Sequence, residues 1–148
     1  MGINSGLRVS DILALNISDV KNKSYIELRE KKTNKFKRFP INLQIQNEIS
    51  NFITDRNPDE PLFVSQKGNR LSRVQTYKIL NRAAKKAEIN VQIGTHSLRK
   101  TFGYHHYKQF CDIVLLQKIL NHSSTAVTLR YIGLEQETID KSYNNFYL

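Results

Sequence analysis

The sequence predicts a mainly α-helical domain that carries one small antiparallel β-hairpin. Apolar residues recur at three- and four-residue intervals in several separate stretches, and one pair of short segments is instead rich in aromatic and branched residues around a compact basic tip. A chain of 148 residues, 39% hydrophobic and 24% charged, is large enough to bury one core and small for two, so a single domain over residues 1–148 is expected.

Arg8 to Leu15 reads as a short helix that starts at or just after Gly6, with Val9, Ile12 and Leu13 on one side and Asp11 on a more polar face. Tyr25 to Glu30 and Phe36 to Ile41 form the hairpin, with Lys31, Lys32, Thr33, Asn34 and Lys35 at its tip, and Pro40 marks an edge strand. Leu43 to Ile53 places Ile45, Ile49, Phe52 and Ile53 at helical spacing, and a surface loop from Arg56 to Pro61 follows. Ser72 is the expected N-cap of a helix to about Ala87, whose face of Val74, Tyr77, Leu80, Ala84 and Ala87 should lie in the core. Thr95 is expected to cap a helix from His96 toward Gln109. Asp112 should cap another through Leu120, with Ile113, Leu116, Ile119 and Leu120 inward and Asn121 closing it in the left-handed conformation. From Glu135 onward, Ile139, Tyr143 and Phe146 mark a short amphipathic helix.

Lysine plus arginine outnumber aspartate plus glutamate by 23 to 13, a net charge of +10, which points to a polyanionic partner. No apolar run approaches the ~20 residues needed to span a bilayer, so double-stranded DNA or another nucleic acid is expected rather than a membrane. The single cysteine, Cys111, excludes an internal disulfide and a cysteine-built zinc site and fits a reducing cytoplasm. It reads as a small buried apolar residue. The acidic residues show no grouping that resembles a two-metal nuclease site, and no metal is expected.

Two guanidiniums, Arg8 and Arg99, suit the non-bridging oxygens of a phosphodiester because each presents forked donors. Arg8 gains from the start of a helix, where free N–H groups favour phosphate. His96 precedes Arg99 by three residues, which puts both on one face of a helical turn. His122 follows a helix end, where a loop can present an imidazole. Composition does not choose among seven tyrosines. Asp11, one turn after Arg8, is expected to orient an arginine or histidine. His105 and His106 read as packing or surface residues.

The blocks Gly6-Leu7-Arg8-Val9-Ser10-Asp11, Lys32-Thr33-Asn34-Lys35, His96-Ser97-Leu98-Arg99 and Leu120-Asn121-His122-Ser123-Ser124, followed by Tyr131, resemble the tyrosine recombinases of the phage-integrase family. The chain is most similar to integrases of phages and conjugative elements in Gram-positive bacteria. The resemblance implies their catalytic-domain fold and site-specific DNA recombination without cofactor or metal. Arg8, Lys32, His96, Arg99 and His122 then surround the scissile phosphate, and Tyr131 attacks it to give a 3′-phosphotyrosine. His96 is assigned as an acid/base group and His122 as a transition-state hydrogen-bond donor. The lysine before Thr33 is implied as the general acid for the departing 5′ oxygen, with Lys31 its rival by one residue of register. Lys31, Lys35, Lys37 and Arg38 are expected to touch the DNA backbone. A phenol has a reference pKa near 10, and the arginines should favour its phenolate.

The resemblance further implies a homotetramer on DNA in the full-length protein, with accessory DNA-bending proteins as possible partners. It leads to the expectation of an absent N-terminal DNA-gripping domain and absent first catalytic-domain helices. Uncovered apolar surface and self-association would follow. The segment Glu135 to Leu148 can pack on its own domain or on a neighbour. Type IB topoisomerase-like relaxation and a non-cutting DNA-binding module are the competing readings.

Overall fold

Gly6 sets the start of the fold. It takes a left-handed φ of 60° between α1 (Gly2–Ser5) and α2 (Val9–Ile12), and a Cβ added there would lie 2.7 Å from the Phe102 ring. The structure, a computed structural model, describes residues 1–147 apart from the side chains of Glu135, Glu137 and Thr138. Leu148, the end of the expected terminal segment, lies outside the described residues. The helix expected from Arg8 to Leu15 is a single turn, because Arg8 is its extended N-cap and the chain leaves at Leu13 to form a 3₁₀ turn at Ile17–Asp19. Asn16 and Asp19 cap that turn reciprocally. α1 was not expected from sequence, since its four residues hold one large apolar side chain, Ile3, which is exposed.

The hairpin forms as expected. β1 (Tyr25–Arg29) pairs antiparallel with β2 (Phe36–Pro40), from Tyr25 opposite Pro40 to Arg29 opposite Phe36. Ile26 and Phe39, directly opposite each other, are buried. α3 (Leu43–Phe52) starts at Asn42, whose side chain accepts the Ile45 N–H at 2.9 Å. These elements share one apolar cluster that includes Leu7, Ile12, Ile17, Ile26, Ile45 and Leu62.

α4 (Arg73–Lys86) carries the expected Ser72 cap, closed by Gln75 into a capping box. Its predicted core face is not a core face. Ala84 alone is buried there, while Val74 is 64% exposed and Ala87 lies open. The reason is that the helix is tied to the following segment by polar contacts, with the Asn81 amide donating to the Ile93 carbonyl at 2.6 Å and accepting its N–H at 3.2 Å. α5 (Ser97–Phe110) begins one residue later than expected. Thr95 does not cap it, because a turn joins Ser97 N–H to the Gly94 carbonyl and Gly94 N–H to Ser97 Oγ, both at 3.0 Å.

α6 (Ile113–Leu120) has its Asp112 cap, at 2.8 Å from Leu115 N–H, and its left-handed Asn121, φ 52°. Cys111 was expected to be buried and is exposed, because it forms the left-handed turn (φ 52°) that ends α5. α7 (Thr125–Ile132) starts at Ser124, and α8 (Leu134–Asn145) follows Gly133 at φ 80°. A second apolar cluster gathers Leu116, Leu120, Ile132 and Leu134. Beyond Leu134, the apolar residues expected to mark α8 are exposed, Ile139 at 44% and Tyr143 at 82%. No helix among the described residues is long and apolar enough to cross a membrane.

Candidate active site

The two apolar clusters meet at Arg99. Its Nη1 donates to the Gly6 carbonyl at 2.6 Å, and its Nη2 donates to the Leu120 carbonyl, so one buried guanidinium joins the first turn of the chain to the end of α6. The rest of Arg99 borders a cleft of about 400 Å3 that Arg8, Lys31, Lys32, Arg73 and His96 also line. Four of the five expected site residues other than the phenol, Arg8, Lys32, His96 and Arg99, therefore line one concavity, and His122 lies within the field of Arg99 and Arg8.

Arg8 reaches the cleft as the N-cap of α2 and forms an ion pair with Glu30, Nη1 to Oε1, at 2.8 Å. Lys31 and Lys32 reach it from the hairpin tip. Asp11 does not orient an arginine or histidine as expected; its Oδ1 accepts the Lys31 backbone N–H at 3.0 Å, because its buried side of α2 meets the base of the hairpin. Lys37 also departs from expectation. It shares the inward face of β2 with Phe39, and its Nζ donates to the Ile119 carbonyl at 2.5 Å instead of standing free for DNA. Burial, reinforced by Arg99, lowers its pKa to about 8. Lys35 stays exposed with Nζ 3.4 Å from Asn121 Oδ1, and Arg38, on the outward face, lies 3.8 Å over the Tyr25 ring.

His96 sits immediately before the first helical residue of α5. Burial, and then Arg73, Arg99, Lys32 and Arg8, push its pKa below the ordinary value, which favours a neutral imidazole able to accept a proton. His105 and His106 stay outside the cleft. His105 is exposed against Tyr104, and His106 lies between Phe102 and Phe110.

Tyr131 lies in the last turn of α7, its ring meeting His122 edge-on with centroids 5.0 Å apart. Its Oη is buried beside the Arg99 guanidinium. Arginines alone were expected to favour the phenolate, but burial outweighs the attraction of Arg99 and Arg8, and the phenol is held above its usual pKa. The resting nucleophile is protonated.

His122 is placed by the left-handed Asn121, and its N–H donates to the Gln117 carbonyl at 3.1 Å. Its Nδ1 is 3.2 Å from Thr128 Oγ1, which is itself 3.1 Å from the Ser124 carbonyl. The Thr128 hydroxyl has one hydrogen: while it donates to the Ser124 carbonyl, its oxygen accepts from Nδ1–H of a neutral His122, and when it turns to Nδ1 the ring carries its proton on Nε2, which becomes a donor. Burial, then Arg99 and Arg8, lower the His122 pKa to about 4. An NMR titration should therefore find this ring neutral until the pH falls close to 4. The sign for stability follows: an unfolded histidine takes its proton near 6.5, so the contribution is complete above that pH and is lost as pH falls toward 4. His122→Gln should flatten the fall in melting temperature across that window.

The phage integrase family profile matches residues 2–138. The chain belongs to the phage integrase family. A probable integrase/recombinase, YoeC of Bacillus subtilis, is 45% identical over 146 residues, covering 98% of this chain and 80% of the relative. The XerA tyrosine recombinase of Pyrococcus furiosus is 35% identical over 132 residues, covering 86% of this chain and 46% of its own length. The chain thus spans about half the length of the Xer relatives it matches. A crystal structure of XerA recombinase superposes with a TM-score of 0.75 at 26% identity, over 99% of this chain and 55% of that one. The catalytic domain of bacteriophage HP1 integrase shares the fold, with a TM-score of 0.65 at 24% identity, over 97% of this chain and 76% of that one.

In this member of the phage integrase family, three residues of the site carry no sequence signal that separates them from their surroundings. Glu30 looks like a strand end before a lysine pair, Arg73 like a surface cation after a cap, and Thr128 like a helical threonine. Glu30 and Arg73 gain their roles from long-range placement, and Thr128 from the turn that brings α7 back to His122. Among the described residues, no three histidine, cysteine, aspartate or glutamate side chains gather as metal ligands would.

Proposed function

We propose that this chain is the catalytic part of a site-specific DNA recombinase that cuts and rejoins strands through a 3′-phosphotyrosine at Tyr131, acting in the cytoplasm as a tetramer on duplex DNA. The observation that carries this reading is the convergence of Arg8, Lys32, His96 and Arg99 on one cleft, with the Tyr131 phenol inside the field of Arg8 and Arg99. XerH bound to its difH substrate and the Tn1549 integrase with circular-intermediate DNA share the fold and lend support.

Tyr131 Oη loses its proton to His96 and bonds to phosphorus; the bond from phosphorus to O5′ breaks, and that oxygen takes a proton from Lys32. Arg8, the free donors of Arg99 and the Nε2–H of His122 stabilise the equatorial charge. A 5′-hydroxyl from the partner duplex then reverses these steps on the other side. One phosphodiester replaces another.

A nicked suicide duplex, whose released fragment cannot religate, tests the reaction. The expected result is a covalent protein–DNA band that accumulates with time and is removed by protease. Exchange of flanks between two labelled duplexes, rather than relaxation of one, is the outcome that marks recombination. Salt-sensitive binding with no covalent band would overturn the reading in favour of a non-cutting module.

A further inference from the structure

Lys32 has an exposed side chain and no hydrogen bond or ion pair of its own among the described residues, so its position is inherited from its neighbours. On one side, Lys31 N–H is fixed to Asp11. On the other, the Thr33 hydroxyl donates to Glu30 Oε2 at 2.7 Å. Glu30 is fully buried, and the same carboxylate accepts the Asn121 side-chain N–H at 2.9 Å and faces Arg8 Nη1 at 2.8 Å. Its main chain closes the tip as well, through N–H to the Lys35 carbonyl at 3.0 Å and its carbonyl to Asn34 N–H at 2.8 Å. One side chain therefore joins the first arginine, the lysine-bearing tip and the residue before His122.

We propose that Glu30 is a positioning residue for strand cleavage, a buried latch that holds the hairpin tip in the register from which Lys32 protonates the departing 5′ oxygen. This rests on the reading of the chain as a strand-cleaving recombinase. Burial alone would raise the carboxyl pKa, but hydrogen bonds from Thr33, Asn121 and Arg8, with the attraction of Arg8, hold it at about 2. The latch is thus charged throughout the neutral range. All of its partners donate, so a neutral amide cannot replace it: glutamine offers one acceptor oxygen and turns its NH2 against a donor.

The test uses the full chain and two nicked duplexes, one with an ordinary scissile phosphodiester and one with sulfur in place of the bridging 5′ oxygen. A thiolate departs without a proton, so the second duplex does not need the lysine. Glu30→Gln should slow adduct formation on ordinary DNA on the order of a hundredfold, the effect of misplacing a reacting group by about 1 Å. It should recover most of the wild-type rate on the sulfur duplex. Thr33→Val, which removes the same latch at the tip and leaves the core untouched, should show the same recovery at a smaller loss, and Lys32→Ala should set its upper limit. Equal slowing of Glu30→Gln and Thr33→Val on both duplexes, no slowing on either, or no recovery for Lys32→Ala would overturn the proposal. A wild-type chain that forms no adduct on either duplex would remove the strand-cleaving reading itself.

Discussion

Tyr131→Phe should abolish the covalent DNA adduct completely while the melting temperature stays within a few degrees of the wild type. The first half follows from chemistry, because phenylalanine has no atom that can bond to phosphorus. The second follows from the resting site. The Tyr131 hydroxyl is buried beside Arg99, so its desolvation, about 1–3 kcal/mol for a polar group left alone, is offset by the guanidinium. Removing it leaves the ring packing with His122 intact and takes away both effects together. For a domain of this size, each kcal/mol corresponds to a few degrees. Thermal scans of the two proteins, with adduct gels alongside, read both effects; a fall of many degrees for the variant would mean that the hydroxyl is a structural partner of Arg99 that the fold requires.

Arg99→Lys should lose activity and stability together. The guanidinium binds two backbone carbonyls, of Gly6 and Leu120, and still presents donors to the cleft. A lysine ammonium is a single point and cannot span both carbonyls and a phosphate. Losing a transition-state donor of this kind slows cleavage on the order of a hundredfold, read as the rate of adduct formation. One abandoned carbonyl lowers stability by about 1–3 kcal/mol, and Arg99→Ala, which abandons both, should lower it further. Both variants lose activity, and stability separates Arg99→Lys from Tyr131→Phe. A stable but inactive Arg99→Lys protein would show that the two carbonyl bonds are dispensable to the fold.

The difference between these residues explains what could be read in the sequence. The hairpin, the Ser72 and Asp112 neighbourhoods and the left-handed Asn121 are local: a cap or turn acts within four residues, and its residue type reports it. The clefted cations Arg8, Lys32, His96 and Arg99 were legible because motif order survives in one dimension. The helix from Arg73 misled because apolar spacing records which side is apolar and not whether anything lies against it. Lys37, Asp11 and Glu30 were misread or passed over for the opposite reason. Their partners, Ile119, Lys31 and Asn121, lie about 20 to 90 positions away, and nothing in a local window announces them. Cys111 shows the same limit on a small scale, since composition favours burial and a single positive φ decides against it.

The strut at Arg99 has a consequence for how the molecule fails on warming. The phosphate-facing guanidinium is held between the two apolar clusters, so a slight parting at Arg99 removes the proposed cleavage site before the helices themselves melt. Inactivation is therefore expected several degrees ahead of the loss of helical circular dichroism, and a saturating DNA oligonucleotide, by bridging the joint, should bring the two curves together.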